Sequence, residues 1–368
     1  METKDYVFPF EGEKHRMTVV MLPYRTDTWR DKAKPALAEF KELILLISKF
    51  EPVLVLYDPK HFSRSSLYEF QKRNVSLLPL PYDDSWARDP LPVFLRSRDG
   101  TKLAGVDFGF NAWGGSYDGL YSPYDQDNSL GQKLLTSLHI PRIAEKDFIL
   151  EGGSVHSDGE GTLLTTECCL LSKGRNPSLS KIQIEQKLKE TLRVSKVLFL
   201  PKGIVNDETD GHVDNICCFL EPGTVLLAVS KDEKDPQYRD SLEDKKYLES
   251  VTDAKGRKLK IVEVPVPTPP LKLSAAEAKG IASNKSAVSR LAGRRLAASY
   301  VNFYMGEKFV ILPKFGVKED QEAYKILSDF YKGKKEVFQM ESREILLGGG
   351  NIHCVTKQVP YVEDAMDL

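Results

Sequence analysis

Short apolar runs recur along the chain, most of them four to seven residues long and rich in Val, Ile, Leu and Phe. That length and composition predict strands. The runs are Met17–Leu22, Val53–Tyr57, Val75–Leu78, Pro92–Leu95, Leu103–Asp107, Phe148–Leu150, Thr162–Thr166, Val197–Leu200, Ile216–Leu220, Thr224–Val229, Leu259–Val264, Tyr300–Met305, Phe309–Leu312 and Glu336–Gln339. Elsewhere the apolar period lengthens to that of a helix. Over Lys34–Phe50, Leu37, Phe40, Leu43, Ile44 and Ile47 share one face, with Pro35 near the start, where its fixed φ suits a first turn. Over Lys181–Leu192, Ile182, Ile184, Leu188 and Leu192 form a stripe, and Ser180 with Gln183 reads as a capping box. Asp240–Ser250 and Asp320–Tyr331 predict two further helices.

Strands followed by a helix, several times over, would suit a doubly wound sheet. No strand leads into GxGxxG or a Walker motif, however, and the predicted helices are too few for strict βαβ alternation. Repeated small α/β modules fit better, although no internal sequence repeat stands out. Val264–Pro270 has four prolines in seven residues and precedes the Ala/Ser/Lys-rich stretch Leu273–Ser289. Together they predict a long surface excursion within one domain rather than a boundary.

Composition narrows the class. The 368 residues carry 52 Lys+Arg against 53 Asp+Glu, a net charge of −1, which argues against a nucleic-acid partner. No apolar run reaches the roughly 20 residues of a membrane span, and the charged start Met1-Glu2-Thr3-Lys4-Asp5-Tyr6 is not a secretory signal. Five cysteines without CxxC pairs argue against a disulfide framework or a zinc ribbon and for a reduced, cytoplasmic compartment.

Polar residues gather in four places beside apolar runs: Asp83-Asp84-Ser85-Trp86-Ala87-Arg88-Asp89, Glu151-Gly152-Gly153-Ser154-Val155-His156, Asn206 to Asn215, and Gly348 to Cys354. Strand ends are where scaffolds present functional groups. Cys354 is the best candidate nucleophile, because Cys168, Cys169, Cys217 and Cys218 lie inside apolar runs and read as small core residues. His156, His212 and His353 are candidate bases. His353 adjoins Cys354, and neighbouring side chains in extended chain diverge. The alternation His212-Val213-Asp214 would put the histidine and the acid on one face of an extended segment. A solvated acidic loop and a zinc site remain open for the same residues.

The candidate nucleophile and base are surrounded by acids: Asp83, Asp84, Asp89, Glu151, Glu208, Asp210 and Asp214. Carboxylates suit a cation, and a guanidinium presents the forked donors they accept. Residues 83–89, 151–161 and 206–215 carry −2, −3 and −4, leaving +8 for the rest of the chain. Near-neutrality is thus an average over a mildly basic scaffold and acid-rich loops.

The blocks Phe110–Gly115, Leu150–Ser154, Glu160–Glu167, Asp210–Asn215, Arg295–Tyr304 and Gly348–Cys354 closely resemble the agmatine deiminases, or agmatine iminohydrolases, of the peptidylarginine-deiminase-like branch of the pentein superfamily. The likeness spans about residues 25 to 360. It implies a pentein fold, an α/β propeller of about five small modules around a central active-site channel, with residues 1–368 as a single catalytic domain. It implies hydrolysis of agmatine to N-carbamoylputrescine and ammonia in polyamine biosynthesis, without metal or cofactor, by a cytoplasmic homo-oligomer, a dimer. Cys354 is then the nucleophile of an amidino-cysteine intermediate, His212 the general acid/base and Glu151 its orienting partner. Asp89 and Asp214 clamp the guanidinium, Trp86 packs beside it, and Glu208 faces the distal amine. Where the family reads Arg-Asp-(Thr/Ser)-Gly-Pro, this chain has Arg88-Asp89-Pro90-Leu91-Pro92, which stiffens the turn after Asp89. A deiminase acting on free or peptidyl arginine and a non-catalytic guanidine-binding module are the alternatives.

Overall fold

The computed structural model describes residues 5–70 and 74–363; Met1 to Lys4 of the charged start lie outside them. The described strands form five separate sheets in a mixed α/β fold. Four of the sheets share one order in sequence: a short strand, an antiparallel partner, a helix, and a strand parallel to that partner. His156–Ser157, Thr162–Thr166, helix Lys181–Leu192 and Lys196–Leu200 make one such unit. Cys217–Glu221, Thr224–Val229, helix Pro236–Ser250 and Lys260–Pro265 make the next. Tyr304–Met305, Phe309–Lys314, helix Glu319–Tyr331 and Glu336–Glu341 repeat it. Val93–Ser97, Leu103–Gly109, helix Asp125–Ser137 and Arg142–Ile149 follow the same plan, with Tyr6–Val7 added at the edge. The fifth sheet is closed by the two ends of the chain: Thr356–Pro360 pairs antiparallel with His15–Met21, which runs parallel to Val53–Tyr57 across helix Lys34–Ile47. Val75–Pro79 is its outer strand.

Five parallel pairs therefore do have a crossover α-helix, while Val53–Tyr57 and Val75–Pro79 have only the 3-10 stretch Arg64–Phe70 described between them. Sequence periodicity misses Asp125–Ser137 because Asp125, Gln126, Asp127, Asn128 and Gly131 dilute its apolar stripe, leaving Leu130, Leu134 and Leu135 as the buried face. The helix instead starts on tertiary support: the Asp83 carboxylate accepts from the backbone N–H groups of Gln126 and Asp127. Where local chemistry is self-sufficient, sequence and structure agree. Helix Lys181–Leu192 has the expected bounds, and both halves of the Ser180–Gln183 capping box form. The largest correction concerns Tyr300–Met305, of which only Tyr304–Met305 is strand. Val301 and Asn302 belong to the link before it. The excursion after Pro270 is necked by the antiparallel bridge Lys272–Arg295 and lies mostly at the surface over residues 281–293. Among the described residues no helix is long and apolar enough to cross a membrane.

The repeated order positions the chemistry. The link entering each unit ends just before its first antiparallel strand, and these five links carry Asp89, Glu151, His212 with Asp214, Asn302, and His353 with Cys354.

Candidate active site

Trp86, Asp89, Trp113, Glu208, Asn215, Gly348–Gly350 and Cys354 line one narrow pocket. The glycines allow the backbone to close on it. At Gly349, φ is 112° and a Cβ would meet Glu208 Oε2 at 2.5 Å; at Gly350 it would meet Trp86 at 2.7 Å and Cys354 Sγ at 3.0 Å. Cys354 is buried, with Asn302 Nδ2 3.1 Å and Asp214 Oδ2 3.6 Å from its sulfur. The same Asn302 turns its Oδ1 to the backbone N–H groups of His353 and Cys354, at 3.0 and 3.3 Å. Sequence reading missed Asn302 because it sits in an apolar run; its place in the fourth link, equivalent to that of the other clusters, is the signal that could have found it.

His212 and Asp214 are not on an extended segment: Val213–Ile216 is a helical turn that follows His212. They still converge, because a Cβ at Gly153 would fall 2.7 Å from His212 Nδ1, 2.8 Å from Asp214 Oδ2 and 3.0 Å from Asp89 Oδ1. Asp89 accepts from Gly153 N and from Trp113 Nε1, both at 2.8 Å, so its carboxylate is fixed despite Pro90. The His212 ring lies 3.9 Å from Asp89 through Nδ1 and 3.9 Å from Glu151 through Nε2. Glu151 in turn pairs with the fully buried Arg175 at 2.7 Å. Arg175 also donates to Trp113 O, Thr209 O and Asp210, tying three links together. It was not a sequence candidate, and its place in the polar run Gly174-Arg175-Asn176 is the only sequence hint.

Burial opposes every charge here, and the partners decide the outcome. Burial raises Glu151, but Arg175 and His212 bring it down to about 2. For His212 burial is outweighed by Asp89, Cys169 and Glu151, which hold its pKa well above the usual histidine value. Cys354 is pushed well above an ordinary thiol by burial and then by Asp214 and Asp89. Asp89 is raised by burial, with the His212 charge only partly compensating. Among the described residues, the buried atoms of this site without a hydrogen-bond partner include Asp214 Oδ1 and His212 Nε2, and also Arg175 Nε and both Glu151 oxygens, which meet as an ion pair.

Not every acid of the sequence reading reaches this site. Asp83 caps a helix, and Asp84 accepts from Thr28 Oγ1 at 2.8 Å and Trp29 Nε1 at 3.0 Å. Asp158 closes its own turn onto Glu160 N and Thr162 N. Glu208 does line the pocket, but Arg290 grips both of its oxygens at 2.6 Å and Arg294 approaches at 3.1 Å. The mouth thus offers cations as well as acids. They are not Arg88, which is bound to Glu11 and Gln358, nor Arg295, which pairs with Asp235. His156 is no base for this pocket, since its Nδ1 accepts from Phe219 N at 3.3 Å. Cys217 and Cys218 are buried strand residues, whereas Cys168 and Cys169 lie in a short helix with Cys168 exposed. Two clusters, Glu151–Cys169–His212 and Glu11–His156–His353, have ligand atoms within metal-binding distance of one another. Each already holds a guanidinium 2.7 Å from its glutamate, Arg175 in the first and Arg88 in the second, so both read as balanced ion-pair clusters.

A family profile described as Porphyromonas-type peptidyl-arginine deiminase matches residues 7–360. A curated relative named "Putative agmatine deiminase" from Latilactobacillus sakei is 46% identical over 355 residues, covering 96% of each chain. "Putative agmatine deiminase 1" of Listeria monocytogenes is 46% identical over 352 residues and 96% of each chain. Among solved structures, an agmatine deiminase of Enterococcus faecalis superposes with a TM-score of 0.91 at 37% identity, covering 98% of this chain and 97% of its own.

Proposed function

Since the chain belongs to the Porphyromonas-type peptidyl-arginine deiminase family, whose members with agmatine deiminase names are its relatives over nearly full length, we propose that it hydrolyses agmatine to N-carbamoylputrescine and ammonia. One observation carries this reading. A buried thiol lies against Asp214, 3.6 Å away, in a pocket shared with Asp89, while Asp214 Oδ1 has no protein partner. A guanidinium would supply the missing donors and the compensating charge.

In this reading Asp89 and Asp214 hold the guanidinium beside Trp86, and the bound cation favours release of the Cys354 proton to solvent. The thiolate attacks the central carbon, forming the S–C bond and a neutral tetrahedral adduct. Protonated His212 gives its proton to one NH2 group, the C–N bond breaks, and ammonia leaves a cationic amidino-cysteine. Neutral His212 then takes a proton from water as its oxygen adds to the same carbon. Collapse breaks the S–C bond and the hydroxyl proton returns to the sulfur, which restores the thiol, while the released ammonia takes up the proton that Cys354 gave to solvent and becomes ammonium. Arg175-bound Glu151 keeps the imidazole oriented and its cation stabilised. Glu208 faces the distal ammonium, and its carboxylate then serves that cation and Arg290 together. The five sheets form one catalytic domain, a propeller around the pocket, and the expectations of a dimer, a cytoplasmic setting and a role in polyamine biosynthesis belong to the same proposal.

A single observation favours the arginine alternative: Arg290 and Arg294 supply cations at the mouth that an α-carboxylate would need. Both terminal nitrogens of Arg290 are already engaged by Glu208, and the agmatine deiminase names of the near full-length relatives put agmatine first. Ammonia release from agmatine, arginine and a peptidyl arginine, each with wild type and Cys354→Ser, tests the reading. Agmatine should be turned over fastest, and the variant should release none. Retained turnover in the variant would remove the cysteine mechanism, and faster turnover of arginine would reverse the substrate order.

A further inference from the structure

His353 adjoins the candidate nucleophile in sequence but engages a different set of groups. Its Nδ1 lies 2.8 Å from Asp214 Oδ2, and its Nε2 lies 2.9 Å from Glu11 Oε2. Ionised carboxylates only accept hydrogen bonds, and a neutral imidazole has one N–H to give. A neutral ring would therefore set a lone pair against one of the two carboxylates at contact distance. Only the imidazolium donates both ways. Water cannot repair the mismatch cheaply, because His353 is 3% exposed and Asp214 1%.

The surrounding charges balance. From the link before Val93, Arg88 Nη1 donates to Glu11 Oε1 at 2.7 Å. From the strand His156–Ser157, the His156 ring accepts at Nδ1 from Phe219 N, which leaves its proton on Nε2, 3.6 Å from Glu11. His156 is therefore neutral in this cluster, with its N–H turned toward Glu11 beyond hydrogen-bond distance. Lys357 sits behind Arg88 and donates to its carbonyl at 3.0 Å, and burial together with Arg88 holds its pKa down to about 7. The buried Cys218 thiol is kept neutral by burial. On the His353 side, two carboxylates, Glu11 and Asp214, thus face Arg88 and His353, with Lys357 near Glu11 and the pair His212 and Asp89 on the other side of Asp214. The backbone of His353 is fixed independently, with its N–H donating to Asn302 Oδ1 at 3.0 Å.

We propose that His353 is a positioning residue held permanently as an imidazolium between Glu11 and Asp214, which keeps Asp214 ionised and leaves its Oδ1 free for the guanidinium. This deepens the proposed function and rests on it, since the charge of Asp214 matters through the clamp. Titration tendencies agree with the geometry. Burial and Arg88 lower the His353 pKa, but Glu11 and the Asp214 hydrogen bond prevail and raise it. Asp214 and Glu11 both stay below the usual carboxylate range although burial opposes this, Asp214 chiefly through His353 and Glu11 chiefly through Arg88 and His353.

Nitrogen NMR of histidine-labelled wild-type enzyme, assigned with His353→Asn, reads the charge without any substrate. At about pH 7.5, where an ordinary histidine is neutral, both ring nitrogens of His353 should be protonated; a neutral ring there overturns the proposal. His353→Asn keeps a donor toward Asp214 but loses the charge. The acidic limb of its agmatine kcat/KM profile should move up by about one pH unit or more, with KM raised about tenfold and kcat changed much less. Glu11→Gln should move the same limb by a smaller amount and keeps the test alive if His353→Asn does not fold. A wild-type limb in whichever variant folds counts against the proposal. If wild-type enzyme releases no ammonia from agmatine, the functional reading fails instead, while the NMR result still decides the state of His353.

Discussion

Two buried histidines, each set between two carboxylates, are held in opposite ways. The His353 ring touches its acids at 2.8 and 2.9 Å, whereas the His212 ring stands 3.9 Å from both of its own. At the shorter distance the proton is locked into two charge-assisted hydrogen bonds, and the ring becomes a fixed cation. At the longer distance the acids still stabilise the imidazolium through space, but neither is within hydrogen-bond reach, and Nδ1, on the side of the pocket-lining Asp89, can hand its proton to another atom. In the proposed reading the same residue types make a strut in one place and a proton carrier in the other, and about one ångström separates the two outcomes.

The comparison breaks most sharply at the proton carrier. His212→Asn should lower kcat for agmatine about a thousandfold with the fold intact by circular dichroism, a loss in kcat where His353→Asn loses mainly in KM. Matching KM-type losses in both variants would erase the distinction.

The support beneath each ring comes next. Arg175→Met leaves Glu151 buried without its guanidinium, and loss of one member of such a pair costs about 3 kcal/mol or more. Urea denaturation should register that loss. The Glu151 carboxyl, now about 2, should also rise, weakening the through-space stabilisation of protonated His212. Unchanged stability would mean that Glu151 is satisfied by other groups.

The smallest expected effect concerns the thiol between the two rings. Burial, Asp214 and Asp89 raise its pKa, so the empty site holds a neutral thiol and alkylation of Cys354 should accelerate only at alkaline pH. A guanidinium ligand that leaves the sulfur accessible adds a positive charge and should move that profile down by about one pH unit or more. Coincident profiles with and without ligand would place the trigger elsewhere, in His212 alone.

Much of this was legible along the chain. The helix Lys181–Leu192 and its cap could be read because a capping box closes within one turn. Cys354, His212, Glu151, Asp89, Asp214, Trp86 and Glu208 stood out as polar groups at the ends of apolar runs. Helix Asp125–Ser137 did not, because its first turn is capped by Asp83, 43 and 44 residues away. Asn302 was hidden in an apolar run, and its contact with the sulfur spans 52 residues. Asp83 and Asp84 carried the same signal as Asp89, yet only Asp89 lines the pocket.

What the sequence by itself determined is therefore local: periodicity, caps, and an inventory of one candidate nucleophile, three candidate histidines and loops richer in acids than in cations. Tertiary structure decided which acids meet the thiol, which arginines neutralise the rest, and how far each imidazole stands from its partners. Glu11 reaches His353 across 342 residues of chain, and no pattern of neighbours encodes that distance. The physical reason is that hydrogen-bond strength and charge coupling depend on ångströms in space, while sequence spacing sets geometry only within a turn of helix or along one strand.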